Sequence, residues 1–245
     1  KCLLSLRARA AFCLQNREIR MTATVKTENG ISVVTMDDGK ANAISLDMLE
    51  AVNACLDEAE KDGDVLVLTG REGKFSAGFD LKFLATSDGE GVRKLVTGGG
   101  QLAMRLFTSK MPVVIASTGH SIAMGAFMLL GGDTRIGTRG AFKIGANETV
   151  NGMTLPGFGT ELPRARLNPM YLTEALVQAR LYSPDEAVPV GWLDKVVEAD
   201  ALMDTAMEAA TALKAIANGA YYRNKMLVRK PAIDAIMPTL EQSTV

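Results

Sequence analysis

The stretch "PVVIASTGHSIAMGAFMLLGG" (residues 112–132) contains three local signals in succession. Its first seven residues form a short apolar run, which is typical of a strand buried on both faces. A turn of small residues follows, and "MGAFMLLGG" then predicts a helix that ends at its glycines. Because the first N–H groups of a helix have no partner within it, this stretch predicts free backbone donors just beyond a buried strand.

The same arrangement occurs once more, earlier in the chain. "KFSAGFDLK" (74–82) follows the apolar run "DVLVLTG" (64–70), and it again combines small residues with a probable helix start. Small residues let a ligand approach the backbone closely, and free N–H groups bind an anion or stabilise a developing negative charge. Two such turns favour a site of this kind, although each could also be only a tight connection between strand and helix.

Strand and helix patterns alternate along the chain. "ISVVTMD" (31–37) predicts a strand, and residues 45–63 predict a helix with a Ser45 cap and a stop at Gly63. "TRIGT" and "AFKIG" predict short strands, and helical patterns dominate from Pro163 onward. This alternation predicts an α/β fold with crossover connections.

A run of three glycines, residues 98–100, interrupts the helical pattern of residues 91–110. It lacks the Lys-Ser/Thr pair of a phosphate-binding loop and the spacing of a dinucleotide-binding loop. We therefore interpret it as a bend or a mobile segment.

The composition excludes several classes of function. The 245 residues are 47% hydrophobic and carry 27 basic and 28 acidic groups, so a core is expected and a nucleic-acid-binding face is not. No apolar run reaches the length of a membrane span. The three cysteines, Cys2, Cys13 and Cys55, have no pair spacing, which argues against a disulfide framework and against a metal site. A reducing compartment, the cytoplasm, is the expected location.

The first twenty residues carry five basic groups and one acid. We interpret them as an extension that is not part of the fold; if they are a genuine presequence, the expected location is mitochondrial.

Three segments in this order, "FSAGFDL" (75–81), "GHSIAMGAFMLLGGD" (119–133) and "IGANETVNGMTLPG" (144–157), resemble the crotonase, or enoyl-CoA hydratase/isomerase, superfamily. The segment at residues 181–197 resembles the one that follows the core of that family. The resemblance implies an enzyme of fatty acid metabolism that acts on an acyl-CoA thioester, with no metal and no cofactor beyond the CoA of the substrate. It also implies a homotrimer or a hexamer built as a dimer of trimers.

The resemblance further implies a fold and its divisions. The expected fold is a ClpP-like spiral of ββα units with a helical C-terminal trimerisation region. On this chain the spiral core with the active site is assigned to residues 21–185, and the oligomerisation region to residues 186–245.

In this family two backbone N–H groups form an oxyanion hole for the thioester oxygen. The matching positions are Phe79 and Met124, with Gly125 as the alternative one residue later. The family commonly has Gly where Met124 stands, so Met124 serves only if its backbone angles are open to a residue with a side chain. The segment "KANA" resembles the stretch that borders the CoA, and the Lys40 cation could lie near its phosphates. The expected substrate-binding residues are Lys40, Ala41, Ala43, Ala77, Gly78, Gly125 and Phe127.

The resemblance assigns the base to Glu148. Hydratases of this family handle water with two glutamates, and the positions that match them are Phe127 and Glu148. A carboxylate in an apolar pocket has a raised pKa, which suits it to remove the proton beside a thioester.

With one glutamate, "IGANET" looks most like the Δ3,Δ2-enoyl-CoA isomerases, so we expect conversion of 3-enoyl-CoA to 2-enoyl-CoA through a dienolate. The alternatives are a hydratase or another thioester reaction of the family, and a catalytically silent acyl-CoA-binding or assembly protein.

Three other polar residues have simpler interpretations. Glu161 is the rival acid, but its place before a helical pattern favours an N-terminal helix charge. Asp80 is expected to hold its turn through nearby N–H groups. His120, the one histidine in the sequence, is expected to be a packing residue, since no Ser or Cys partner is visible.

Overall fold

The computed structural model describes residues 22–242, so the extension predicted at residues 1–20 lies outside the described residues. The strands form two sheets. The large sheet has the order β1-β2-β3-β5-β7-β9. Its neighbouring strands are parallel except for the antiparallel pair of β1 with β2, and the small sheet β4-β6-β8 is entirely parallel. The strands are β1 (Ala23–Glu28), β2 (Ile31–Met36), β3 (Val65–Gly70), β4 (Gly73–Ser76), β5 (Val113–Ser117), β6 (Gly119–Ile122), β7 (Thr134–Thr138), β8 (Ile144–Gly145) and β9 (Lys195–Val197).

Helices connect the strands and cover the sheets. Short 3-10 turns occur at Pro169–Tyr171 and Ala199–Ala201, and a π-helical turn occurs at Thr173–Val177. The helical pattern predicted from Pro163 onward is therefore only partly confirmed, since residues 169–177 form these turns rather than an α-helix. The α-helices are α1 (Leu46–Asp62), α2 (Leu81–Thr86), α3 (Gly89–Thr108), α4 (Met124–Leu130), α5 (Gly157–Arg166), α6 (Pro184–Val190), α7 (Leu202–Lys214) and α8 (Gly219–Gln242).

The chain repeats one pattern as it winds. A strand of the large sheet (β3, β5 or β7) is followed by a strand of the small sheet (β4, β6 or β8) and then by a helix. Strands β3 and β5 are buried along their whole length, as their apolar runs predict. The predicted α/β spiral is thus present, and each of its turns passes through the small sheet before its helix.

Helix α1 begins and ends where the sequence predicts. The Ser45 side chain accepts a hydrogen bond from the Met48 N–H, and the Gly63 N–H donates to the Ala59 carbonyl. The buried face of the helix packs on the core through apolar residues at helical spacing. This face consists of Met48, Leu49, Val52, Cys55, Leu56 and Ala59.

The three glycines do not interrupt helix α3, so the prediction of a bend or mobile segment there is wrong. A Cβ at Gly99 would lie 2.5 Å from the Phe79 ring, and one at Gly100 would lie 2.6 Å from the Phe158 ring. Packing of these two rings against the helix compensates for the low helix propensity of glycine. The glycines are thus explained by close contacts rather than by flexibility.

The C-terminal part of the chain is attached to the core at two places. Strand β9 pairs with β7, so the large sheet continues beyond residue 185; the boundary assigned there stays a prediction. Helix α7 packs against the large sheet, with Leu202 and Ala206 buried in a cluster that includes Val67 and Val114. Leu202 and Ala206, although they belong to the predicted oligomerisation region, are therefore covered by the chain itself.

Helix α8 is held by a buried charge cluster. The carboxylate of Asp133 lies 2.7 Å from the Lys225 Nζ and 2.8 Å from an Arg229 Nη. Near its C-terminal end, the helix places Thr239 and Leu240 against Gly157 and Gly100. Among the helices that the structure describes, none has the length and apolar character needed to cross a membrane.

Candidate active site

The small sheet brings the three predicted site segments to one edge. Strands β4 and β6 pair with Ser76 opposite Ser121, and β6 and β8 pair with Ile122 opposite Gly145. Since all three strands are parallel, the segments that follow them leave from the same edge of the sheet. These segments are residues 77–80, residues 123–124 and residues 146–149. The turns predicted to follow the buried strands 64–70 and 112–118 directly are therefore each preceded by a further, short strand.

The first two turns touch each other. Gly78 has φ +92°, and a Cβ on it would lie 2.8 Å from the Ala123 Cβ and 3.4 Å from the Met124 N. Only glycine allows both this conformation and this close approach. The residues predicted to supply the two oxyanion donors are thus neighbours in space, although 45 positions separate them in the sequence.

The N–H of Phe79 has no hydrogen-bond acceptor within residues 22–242. The N–H groups of its two neighbours in the turn are used, because Gly78 donates to the Ser76 Oγ (3.2 Å) and Asp80 donates to the Ile44 carbonyl (3.1 Å). The Phe79 N–H is therefore available to a ligand.

Met124 is the first residue of helix α4, so its N–H has no acceptor within the helix. Its φ is not positive; the unusual conformation belongs instead to Ala123, with φ 53° and ψ −121°. Strain of this kind is concentrated at functional sites. The replacement of the common Gly by Met124 is thus compatible with the backbone, because the turn places its positive φ one residue earlier.

Glu148 is 7% exposed and follows strand β8 by three residues. Its Oε2 is fully buried and has no hydrogen-bond partner among the described residues. Burial raises the pKa of Glu148, and the nearby backbone N–H groups of Glu148 and Asn147 partly oppose that rise. Glu148 is thus a buried carboxylate that no cation of residues 22–242 neutralises, which is the state expected of a base.

Glu148 and both turns line one cavity of about 320 Å³. Apart from Glu148, its polar side chains are Asn147, Asn151 and Thr154. The apolar and small residues of its wall are Ala77, Phe79, Leu81, Leu84, Val92, Val96, Ala123, Phe127, Met153 and Pro156. A surface groove of about 390 Å³ is lined by residues of helix α8 alone and contains none of the site residues.

Phe127 forms a fixed apolar part of the cavity wall. Its ring lies edge-on to Phe158 at 5.8 Å between centroids and tilted to Trp192 at 6.4 Å. Such packed rings have one position and no hydrogen-bonding group. The side of the cavity formed by Phe127 therefore cannot bind a proton or a polar atom.

The comparisons with known proteins agree with this geometry. The family model described as enoyl-CoA hydratase/isomerase matches residues 26–242. The chain belongs to the enoyl-CoA hydratase/isomerase family. The predictions of this family, of its enzymatic character and of its spiral fold are confirmed.

The relatives include both activities of the family. A short-chain-enoyl-CoA hydratase of Clostridium acetobutylicum is 32% identical over 84% of this chain and 80% of its own length. The mitochondrial enoyl-CoA delta isomerase 1 of Mus musculus is 29% identical over 89% of this chain and 77% of its own length. A solved enoyl-CoA hydratase/isomerase family protein from Pseudomonas syringae superposes with a TM-score of 0.88 at 39% identity, covering 91% of this chain and 97% of that chain. Family membership thus includes the isomerase and the hydratase reactions.

The segment that is expected to border the CoA lies beside the first turn. Asn42, fully buried and with φ 51°, donates to the carbonyls of Met36, Lys74 and Phe75 and thereby fixes this segment. The Ala41 carbonyl accepts from Ala77, while the Lys40 side chain is exposed to solvent. Several predicted site residues do not line the cavity, and their contact with a substrate stays a prediction; they are Lys40, Ala41, Ala43, Gly78, Met124 and Gly125.

The three other polar residues that the sequence analysis considered, Asp80, Glu161 and His120, have structural roles. The Asp80 carboxylate caps helix α2 by accepting from the Lys82 and Phe83 N–H groups, as predicted. Glu161 lies in the interior of helix α5 and pairs with Arg164 at 3.2 Å, so the expected N-terminal position is wrong. His120 accepts from the Lys143 N–H and packs edge-on against Phe142, as expected of a packing residue.

Sequence reasoning missed much of the apolar wall of the cavity. Helix α2 buries none of its residues, and Leu81 is 65% exposed although it lines the cavity. A six-residue helix with three large apolar side chains and no buried face was a signal that could have indicated a substrate contact. Among residues 22–242, no group of three His, Cys, Asp or Glu side chains could hold a metal ion.

Proposed function

We propose that this protein moves the double bond of a 3-enoyl-CoA to the 2-position, with Glu148 as the one acid–base group. A single observation supports the proposal: among residues 22–242, the cavity wall has one buried carboxylate without a neutralising partner, and Phe127, which matches the second glutamate of the hydratases by sequence, is a packed ring. Isomerisation requires one base that serves two carbons, and hydration by the known route of the family requires two glutamates.

The oxyanion donors make the first step accessible. When the proton at C2 leaves, negative charge develops on the thioester oxygen, and we assign its binding to the N–H groups of Phe79 and Met124. One such preorganised donor is worth about 3 kcal/mol of barrier in comparable sites. Both donors are main-chain groups of turns that contact each other, so no side chain has to move to form the site.

Glu148 then acts twice on the same dienolate. The carboxylate takes the proton from C2, and the neutral acid returns it at C4, which restores the base and leaves the double bond between C2 and C3. Its raised pKa supports both steps, because a stronger base removes the proton more easily and the acid still releases it. The substrate's own hydrogens are conserved in number.

The cavity favours an aliphatic acyl group. Its wall beyond Glu148 consists mainly of Leu, Val, Met and Phe side chains, which gain buried area when a hydrocarbon chain enters. We assign the CoA portion to the segment at residues 40–43, where the Lys40 side chain is exposed and the Ala41 carbonyl accepts from the Ala77 N–H of the first turn. This assignment predicts that Lys40→Ala raises KM more than it lowers kcat.

The test of the proposed function is an absorbance assay of the conjugated thioester. Matched panels of 3-enoyl-CoA and 2-enoyl-CoA of several chain lengths are given to the wild-type protein. We expect 3-enoyl-CoA to be converted to 2-enoyl-CoA faster than any hydration of the product. Efficient hydration of 2-enoyl-CoA by a protein that leaves 3-enoyl-CoA unchanged would contradict the proposal.

We also propose that the protein assembles as a homotrimer or hexamer in the cytoplasm. Large apolar residues that the chain leaves exposed support an interface, among them Val177 at 64%, Leu227 at 69% and Val228 at 81%. Light scattering at low protein concentration is expected to give the mass of three or six chains, and a monomer would contradict the assembly.

A further inference from the structure

Helix α3 turns one face toward the cavity, and Gly99 lies on that face. Val92 and Val96 line the cavity, and Gly99 continues their line at the spacing i, i+4, i+7, which places residues on one side of a helix. Gly99 is buried, yet it has no side chain with which to fill space. The helix therefore presents two valines to the cavity and, one turn later, only its backbone.

The space beside Gly99 is occupied by the side chains of the two residues assigned as oxyanion donors. A Cβ on Gly99 would lie 2.5 Å from the Phe79 Cζ, 2.6 Å from the Phe79 Cε1 and 3.1 Å from the Met124 Sδ. Ordinary contacts between carbon atoms are about 3.5–4.0 Å long. Any side chain at position 99 would thus displace the Phe79 ring and crowd the Met124 thioether.

Phe79 is restrained at its backbone as well as at its ring. The Gly78 carbonyl, which belongs to the same peptide unit as the Phe79 N–H, accepts from the Ile44 N–H at 2.8 Å. In a planar trans peptide unit the C=O and the N–H point in opposite directions, so the Phe79 N–H points away from Ile44. Ile44 therefore sets the direction of this donor, and Gly99 limits where its ring can lie.

Met124 is restrained by packing. Its side chain is fully buried, and its N–H belongs to the first residue of helix α4. Its turn contacts the turn of Phe79, because a Cβ on Gly78 would lie 2.8 Å from the Ala123 Cβ. The two turns thus meet each other at Gly78, and their side chains meet one residue of helix α3, Gly99.

We propose that Gly99 is a positioning residue for the oxyanion hole. By leaving room for both side chains at one point of helix α3, it fixes the N–H groups of Phe79 and Met124 relative to each other, and it does not itself touch the substrate. The inference rests on the proposed function for the assignment of these donors. Preorganised donors act only from the correct position, and an error of about 1 Å costs up to about a hundredfold in rate.

Gly99→Ala tests this role, and Gly98→Ala is the matched control. Both changes add one methyl group and the same helix propensity to the middle of helix α3. At Gly98 the new Cβ would meet the end of the Leu49 side chain, at 2.9 Å, and neither of the donor residues. The reaction measured is exchange of the C2 protons of a saturated acyl-CoA in deuterated water, which requires the base and the donors but no double bond.

The expected result is a loss of rate without a loss of binding. Gly99→Ala should lower kcat for exchange by about tenfold to a hundredfold, because the Phe79 ring has to move by about 1 Å. KM should stay within about threefold, as for an interaction that acts mainly in the transition state. Gly98→Ala should keep both constants within about threefold of wild type. A purely structural role of Gly99 would instead lower the melting temperature and leave kcat per folded molecule unchanged.

The carbonyl of the bound thioester gives a readout that does not depend on turnover. Hydrogen bonds from the two donors lower the infrared stretching frequency of an isotope-labelled thioester carbonyl relative to the free compound. We expect this shift in wild type and in Gly98→Ala, and a smaller shift in Gly99→Ala when it is saturated with the saturated acyl-CoA. Saturable binding also shows that the variant is folded.

Phe79→Leu answers the same question if the added methyl group prevents folding. It keeps the backbone N–H but removes the ring atoms that contact Gly99, so kcat for exchange should fall by about tenfold. In the Gly99→Ala background the same change should raise kcat by about fivefold or more, because leucine leaves room for the methyl group.

Three results would overturn the inference. They are equal exchange by wild type and Gly99→Ala, an equal loss in Gly98→Ala, and exchange by Phe79→Leu at the wild-type rate. A protein whose exchange depends on Gly99 but which leaves 3-enoyl-CoA unchanged would contradict the proposed function and keep this inference. A protein that isomerises at the same rate in wild type and Gly99→Ala would do the reverse.

Discussion

Asp133 and Glu148 are two carboxylates that the fold removes from water, and their surroundings differ completely. The side chain of Asp133 is 9% exposed, and it accepts from Lys225, from Arg229 and from the Val113 N–H. Glu148 is 7% exposed as a residue, and its Oε2 has no partner among the described residues. One carboxylate is fully neutralised, and the other is left in the state in which it can take up a proton.

The difference shows how the fold separates stability from chemistry. The ion pairs of Asp133, the residue before strand β7, join helix α8 to the large sheet, so that group acts between distant parts of the chain. Breaking a buried ion pair leaves an uncompensated charge, which makes such a cluster important for stability. An unpaired buried carboxylate instead costs stability and gains reactivity. The comparison therefore predicts that one group controls folding and the other controls turnover.

The largest expected effect is on catalysis by Glu148. Glu148→Gln keeps the shape of the side chain but removes the base, so turnover should fall by about 10²–10⁴ while the affinity for the CoA ester is preserved. Initial rates of 3-enoyl-CoA conversion measure the change. Glu161→Gln is the control, because Glu161 pairs with Arg164 and does not line the cavity. A full loss in the control with activity kept in Glu148→Gln would move the base to Glu161.

The next effect is on stability through Asp133. Asp133→Asn leaves Lys225 and Arg229 buried without their counter-charge, which should lower the free energy of unfolding by about 3–5 kcal/mol. Denaturant titration measures this loss. The activity per folded molecule should stay close to that of wild type, since Asp133 does not line the cavity. A stable Asp133→Asn protein without activity would show that the comparison has the two roles reversed.

The smallest effect is a pH-dependent gain of stability in Glu148→Gln. The pKa of Glu148 is raised above its ordinary value of 4.5 in the folded protein, so the folded state binds this proton more tightly than the unfolded state. Below the ordinary pKa both states are protonated and Glu148 costs nothing; as the pH rises through the raised pKa, wild type loses stability. The glutamine variant should therefore be more stable by about 1 kcal/mol at pH 7 and equal to wild type near pH 4.

Thermal unfolding of both proteins across this pH range measures the difference. A variant that is less stable than wild type at pH 7 would mean that the carboxylate has stabilising partners, contrary to the geometry described above.

The sequence predicts local features well where they depend on neighbouring residues. The Ser45 and Gly63 ends of helix α1, the buried strands β3 and β5, and the turn closed by Asp80 all follow from a few adjacent residues. The candidate site residues could be named from the sequence for the same reason, because Gly78, Met124 and Glu148 each lie in a short segment with a recognisable pattern.

Features that depend on distant contacts were not predictable from these patterns. The glycines of helix α3 suggested a break, and only the Phe79 and Phe158 rings packed against Gly99 and Gly100 explain why the helix continues. The small sheet consists of strands of two to four residues, which are too short to give a periodic signal. The two cations that pair with Asp133, Lys225 and Arg229, lie more than 90 residues away, and no pattern in the sequence connects them.

The most direct test of the central claim is hydrogen exchange at C2 of a saturated acyl-CoA in deuterated water. This thioester has no double bond to move or hydrate, so exchange reports only the base and the two oxyanion donors. If Glu148 is the base, wild type exchanges the C2 protons. Glu148→Gln should bind the thioester with similar affinity but exchange about 10²–10⁴ times more slowly, which is the usual loss of rate when a general base is removed. Equal exchange by wild type and Glu148→Gln, or none by a wild type that binds the thioester, would contradict the account.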